Sequence, residues 1–468
     1  MSFSPPVLQA LAGDQPVKKS GRLVVVGSGI RAVSQFTLEA QAHIQQSDVV
    51  LYAAADPVTD MWIEKQNPNA FDLYQYYAND KNRVITYVQM IERILDEVRA
   101  GKYVCAVFYG HPGVFVTPSH NAIEIARREG YEAEMLPGIS AEDCLYADLG
   151  VDPSIPGLQI FEATDLLLRQ RRIDTTMNLI LFQVGCVGDV GFKFHGFENK
   201  NFGILVDYLE NVYGPDHEVT NYVASMFTMA DSTIAKHRIG DLRDPKVAAS
   251  ITGISTFFIK ASTVSTNDTA VAAKFGLKVG TSRGTPLICD RSDYPIMKAQ
   301  AQRNNRNHSI PPGYKFSHGT PALYDTLYEL AVNVRTQQAY RADPGGFINA
   351  REGLTQGDRH YLRMRHSGII RMIFKADPET EAVRFVDDAL RRPYLADSYR
   401  AKQQVEHAAL MREEIEPGQY QAALCDWLMK QGYATTPRAV TSAIGAVRVI
   451  RADTPSDDVE VLPMAAAE

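Results

Sequence analysis

The stretch FDLYQYYANDKNRVITYVQM, residues 71 to 90, gathers Tyr74, Tyr76, Tyr77, Arg83 and Tyr87. A buried phenol or guanidinium needs a hydrogen-bond partner, so a folding core seldom concentrates them this way. A site that removes a weakly acidic proton, or steadies a developing anion, does. Arg83 and Tyr87 are four apart and share one face of a helix, and Tyr77 lies just upstream across the Asn79–Asp80 turn. A phenolate whose pKa is lowered by the adjacent guanidinium is the expected base, with neighbouring phenols and the arginine as donors to an oxygen. Tyr74 and Tyr76 read as packing or substrate-wall residues.

The flanking pattern says what must position this cluster. LVVVGSG, from Leu23 to Gly29, is a fully apolar strand ending in glycines. A helix follows over Thr37 to Ile44, then strand VVLYAAA to Ala55. Apolar residues recur at helical spacing from Arg83 to Ala100, with Asn79 or Asp80 as the expected cap. Strand YVCAVFYG (103 to 110), a helix from Ser119 to Glu129, a strand in EAEMLPG and the helix AEDCLYADLG come next. Further strands are expected at LQIFEA (158 to 163), NLILFQV (178 to 184), FGILVDYL (202 to 209) and STFFIKA (255 to 261). The alternation predicts an α/β fold with mainly parallel sheet and a site at the carboxyl ends of strands.

At 468 residues the chain exceeds one ordinary domain. Residues 1–20 read as an arm and 21–262 as the α/β domain. Residues 263–320, rich in Ser, Thr, Asn, Gly and Pro, read as an extended arm or linker, and 321–436 as a helical region. Residues 437–468 form a tail. A formal charge of -7 gives no electrostatic case for nucleic acid or an anionic membrane. Cys105, Cys144, Cys186, Cys289 and Cys425 form no metal spacing, and their odd number argues against a disulfide scaffold. No metal is expected. Neither a signal peptide nor a run of roughly 18 apolar residues is present, so a soluble, cytoplasmic protein is expected.

Val26-Gly27-Ser28-Gly29 alone is a weak signal, since it lacks the third glycine of the dinucleotide fingerprint. Taken with YGHPGVF (109 to 115) and LPGISAEDC (136 to 144), it resembles the tetrapyrrole-methylase-like (class III) methyltransferases over residues 21 to 262. DLYQYY, LFQVGCVG (181 to 188) and the G-STF phrase near residue 253 sharpen the match. The chain is similar to the borosin peptide α-N-methyltransferases, in which the enzyme is fused to its own peptide substrate. That resemblance implies S-adenosyl-L-methionine as methyl donor and S-adenosyl-L-homocysteine as product. It carries catalytic roles to Arg83, Tyr87 and Tyr109, with Tyr77 beside them. It carries cofactor contacts to Tyr109, His111, Val114, Phe115, Ala141, Gln183, Tyr222, Ala224, Ser255 and Thr256. It also implies an interlocked homodimer, each chain presenting its tail to the other's site. The alternative is a free-standing methyltransferase of this fold acting on a tetrapyrrole or another small molecule.

The chemistry agrees with the cluster. A backbone amide nitrogen is a poor nucleophile because its lone pair is delocalised into the carbonyl. Its methylation needs the N–H proton removed and the imidate charge held in a dry, preorganised site. Within the tail, Ala439 to Ile450 is the stretch suited to threading a narrow site, whereas Arg451, Asp453 and Asp457 would each require desolvation. N-methylation is expected within Ser442 to Ile450, at Val447, Val449 or Ile450.

Overall fold

A computed structural model describes residues 19–276, 294–307, 309, 320–355, 358–359 and 362. Two compact units divide the chain at Met297 and Lys298. The first unit opens with a five-stranded sheet. In chain order its elements are β1 (Arg22–Gly27), α1 (Leu38–Gln46), β2 (Val49–Ala53), α2 (Pro57–Gln66), β3 (Ala70–Asp72), α3 (Arg83–Arg99), β4 (Tyr103–Phe108), α4 (Thr117–Arg128), β5 (Glu132–Met135) and α5 (Ala141–Leu149). The strand order is β3-β2-β4-β1-β5, and every pair is parallel. β1 and β4 are buried along their whole length, which is why they read as unbroken apolar runs. α3 turns Met90, Ile91, Ile94, Leu95 and Val98 on to this sheet. Its cap is Asn82, whose Oδ1 accepts from the Val84 N–H at 2.9 Å, and not Asn79 or Asp80.

The second sheet comprises β6 (Leu158–Glu162), β7 (Asn178–Phe182), β8 (Glu218–Val223), β9 (Thr233–Arg238) and β10 (Thr256–Ile259) in the order β6-β7-β10-β8-β9. Helices α6 (Ala163–Leu168), α7 (Phe202–Tyr213) and α8 (Pro245–Ala249) intervene. Only β6 and β7 run parallel; β10 is antiparallel to both β7 and β8, and β8 to β9. The expectation of mainly parallel sheet therefore holds for the first sheet and fails for the second. FGILVDYL, expected as a strand, is the start of α7. Phe202, Leu205, Val206 and Leu209 are its buried positions, a spacing only a helix turns to one side.

The stretch expected to be an irregular arm holds α9 (Thr269–Lys274), begun by an Asp268 cap, and α10 (Tyr294–Arg306). In the second unit α11 (Pro321–Val332), α12 (Val334–Ala342) and α13 (Pro344–Ala350) are capped by the side chains of Thr320, Asn333 and Asp343. Leu323, Ile348, Leu354 and Leu362 form their shared core. The expected tail substrate, with Val447, Val449 and Ile450, lies outside the described residues.

Candidate active site

Three strand ends of the first sheet converge. After β1 and β4 the Ser28 N–H donates to the Phe108 carbonyl at 2.9 Å, and Gly29 and Gly110 exchange main-chain bonds of 3.2 and 2.8 Å. A Cβ on Gly27 would stand 2.2 Å from the Gly110 carbonyl oxygen, and Gly110 itself has φ +69°. Two loops touch here with no room for a side chain on Gly27, a close approach that only glycine permits. Gln35, which sequence reasoning missed, braces the first loop: its Oε1 accepts from the N–H groups of Ile30 and Arg31 at 2.7 and 2.9 Å.

The loop after Gly110 carries His111, Val114 and Phe115. His111 Nδ1 accepts from the Gly113 N–H at 2.9 Å, so that ring nitrogen is spent on its own loop. Phe115 stands at φ +57°, a strained position for an aromatic residue, and its ring lies 4.9 Å from that of Phe182 at the end of β7. Gln183 follows, also left-handed at φ +59°. Because β10 is antiparallel to β7 and β8, Thr256 at its start and Ser255 just before it share an edge with Gln183 and with Ala224 just past β8. Ala141 opens α5 behind a capping box of Ser140 and Asp143. Tyr222 pairs with Thr256 in register but is fully buried, and its hydroxyl donates to Asp148 Oδ2 at 2.8 Å. The structure thus brings most of the expected cofactor residues to facing edges of the two sheets, with the Tyr222 hydroxyl already engaged.

The phenol cluster sits at the carboxyl end of the first sheet. Tyr109 directly follows β4, its N–H donating to the Ala53 carbonyl at 3.1 Å. Tyr77 lies near Tyr74, Tyr87 and Tyr109, so that ionisation of any of these phenols opposes its own. Arg83, the first residue of α3, acts on Tyr109 and on Cys186, and its Nη2 donates to the Asp189 carbonyl. Tyr77, Arg83, Tyr87 and Tyr109 therefore form one group.

Its electrostatics differ from the expected phenolate. Burial, reinforced by the other phenols, pushes Tyr77 well above the ordinary tyrosine range. Tyr109 is pushed up to about 12, chiefly by desolvation, with Arg83 offsetting only part. Its side chain is 51% exposed, so solvent screening moderates the upward shift. The expectation of a phenol lowered by Arg83 is thus corrected for these two: each is a neutral hydrogen-bond donor near pH 7.

A second miss is the segment 189–194. Its Val190 and Phe192 carbonyls accept from the N–H groups of Arg83 and Asp80, both at 2.9 Å, and the Phe192 ring lies 4.3 Å from that of Tyr77. Gly, Phe and Lys in a loop carried no signal of this. Among the described residues no group of three His, Cys, Asp or Glu side chains is arranged to hold a metal, and no helix is long and apolar enough to cross a membrane.

Two families match the chain: Tetrapyrrole (Corrin/Porphyrin) Methylases over residues 22–242, and the Borosin biosynthesis clasp domain over residues 294–403. The chain is 43% identical over 375 residues to the methyltransferase/ribosomally synthesized cyclic peptide dendrothelin A precursor of Dendrothele bispora, covering 77% of this chain and 90% of that one. It is 40% identical over 374 residues to the omphalotin A precursor of Omphalotus olearius, with the same coverage. To the type III borosin cyclic peptide precursor of Anomoporia bombycina it is 42% identical over 439 residues, 91% of this chain but half the length of that relative.

Proposed function

Because the chain belongs to the borosin family of methyltransferases fused to a ribosomally made cyclic-peptide precursor, we propose that it methylates backbone amides of its own C-terminal peptide. The observation that carries this reading is the grouping of three phenols and a guanidinium beside the glycine loops that follow β1 and β4.

S-adenosyl-L-methionine, when bound, supplies a methyl group on a sulfonium. Support for it comes from the glycine loops after β1 and β4, which the family resemblance ties to the cofactor, and from the apolar Val114, Phe115 and Phe182 alongside. Tyr77, Tyr109 and Arg83 do the remaining work as donors to the carbonyl oxygen of the substrate amide. As the N–H proton leaves, negative charge gathers on that oxygen, and donors already fixed in a desolvated site stabilise it without reorganisation. The N–H proton passes to the Tyr87 hydroxyl as that hydroxyl gives its own proton to water, so the phenol stays neutral and the proton lost from nitrogen leaves with the solvent. Phe192 and Tyr74 wall the cluster.

The methylated residues lie within Ser442 to Ile450, at Val447, Val449 or Ile450. The tail is presented in trans across a homodimer, residues 263–320 reaching around the partner and 321–436 holding the peptide. Exposed Val84, Ile85 and Val88 on α3 support a covering partner, since a monomer gains nothing by exposing them beside its site. Cytosolic residence suits the buried free thiols of Cys105, Cys144 and Cys186. The mass of the full-length chain after expression tests the reading, because each methyl group adds about 14 Da as one CH₂.

A further inference from the structure

We propose that the segment Asp189–Phe194 positions the phenol–guanidinium cluster, and that Phe192 is the positioning residue within it. The proposal rests on the methyltransferase reading above and concerns residues outside the group assigned to the chemistry.

Tyr77, Asp80 and Arg83 precede the first closed turn of α3, so the helix ladder does not fix them. The Tyr77 N–H is tied locally, to the Tyr74 carbonyl at 3.0 Å, whereas Asp80 and Arg83 are held from the second sheet's side of the unit. The Asp80 and Arg83 N–H groups donate to Phe192 and Val190, and Asn82 forms a bridge with Gly191. Asn79 Oδ1 accepts from the Phe194 N–H at 2.9 Å, and Lys193 pairs with Asp80. Arg83 is held again through its guanidinium, by the Asp189 carbonyl. The root of the segment is itself anchored: the Gly188 N–H donates to Thr164 Oγ1 at 3.0 Å and the Asp189 N–H to the Cys186 carbonyl at 3.1 Å.

The Phe192 ring sits 4.3 Å from Tyr77 at 32°, 5.9 Å from Tyr74 at 82° and 5.0 Å from Phe194 at 84°. It is the hub of the aromatic group. Removing it deletes the ring packed against Tyr77 and Tyr74 and frees the Tyr77 ring to turn within the cluster. A displacement of about 1 Å at a reacting group costs on the order of 100-fold in rate.

The test compares full-length Phe192→Ala, Phe192→Leu and Phe192→Tyr with the parent. The rate at which methyl additions accumulate, S-adenosyl-L-homocysteine binding by calorimetry and the melting temperature are measured on each. Phe192→Ala is expected to lose about 100-fold in rate with cofactor affinity kept, Phe192→Leu to fall between, and Phe192→Tyr to recover most of it. Parent-like rates in Phe192→Ala overturn the proposal. So does a loss of rate, cofactor affinity and melting temperature together that Phe192→Tyr does not recover, since that marks a general structural role. If the parent itself adds no methyl groups, the methyltransferase reading fails, and ultraviolet titration of tyrosinate judges the proposal alone. Tyr77 faces the phenols of Tyr74, Tyr87 and Tyr109, with Arg83 behind Tyr109 and Lys193 paired to Asp80 nearby. Opening it to water in Phe192→Ala should bring its ionisation, assigned by Tyr77→Phe, to lower pH. An unmoved ionisation overturns the proposal.

Discussion

A Cβ on Gly27 would lie 2.2 Å from the carbonyl oxygen of Gly110, closer than real atoms approach. The two loops expected to hold the cofactor are therefore packed tightly at Gly27, with Pro112 Cδ only 2.8 Å from the same point. Gly27→Ala must push them apart, with an overpacking cost of roughly 1–3 kcal/mol. Calorimetric titration with S-adenosyl-L-homocysteine is expected to show affinity reduced at least about tenfold, since a separation costing 1.4 kcal/mol of binding already gives that factor. Unchanged affinity would place the cofactor elsewhere.

Removal of an oxyanion donor or of the proton carrier should act on rate and not on cofactor binding. Arg83→Ala deletes a cationic donor held by the Asp189 carbonyl, and Tyr87→Phe deletes the hydroxyl that takes the amide proton. Each is expected to slow methyl addition by about 10²–10³-fold, the usual cost of one preorganised donor. Parent-like rates in either variant, at equal cofactor loading, would contradict its role.

Burial of the phenols sets a pH dependence. Desolvation pushes Tyr109 up to about 12 in the folded state, against about 10 for an unperturbed tyrosine, and Tyr77 is raised as well. A raised pKa means the folded state holds its proton more tightly. The associated stability is complete below about pH 10 and is lost as pH climbs toward 12. Melting curves of the parent should therefore fall more steeply over that window than those of Tyr109→Phe. Parallel curves would show that Tyr109 is not desolvated.

How much of this was legible follows from what each element needs. β1 and β4 are buried on both faces, so unbroken apolar runs betrayed them. The phenols and Arg83 stood out because their types are costly to bury. FGILVDYL misled because a short apolar run fits a strand or a buried helix equally, although the spacing of Phe202, Leu205, Val206 and Leu209 held the answer. The direction of the tyrosine shifts depends on desolvation by neighbours distant in sequence, which Arg83 at four residues from Tyr87 concealed. Phe192 was invisible for the same reason: its partners, Tyr74 and Tyr77, belong to another part of the chain.

Delivery in trans is tested by co-expression. A full-length chain carrying Arg83→Ala is paired with an otherwise intact chain truncated at Pro437. Methyl groups on the tail of the inactive chain, in a purified heterodimer, are expected. An unmodified tail in that heterodimer would mean that each chain serves only itself.

The most direct measurement is tandem mass spectrometry of the C-terminal proteolytic fragment from the full-length chain after expression, with the Tyr87→Phe protein alongside. Additions of about 14 Da should map to backbone nitrogens within Ser442 to Ile450, at Val447, Val449 or Ile450, and be suppressed in the variant. An unmodified fragment from cofactor-loaded parent protein, or methyl groups only outside residues 439–453, would contradict the account.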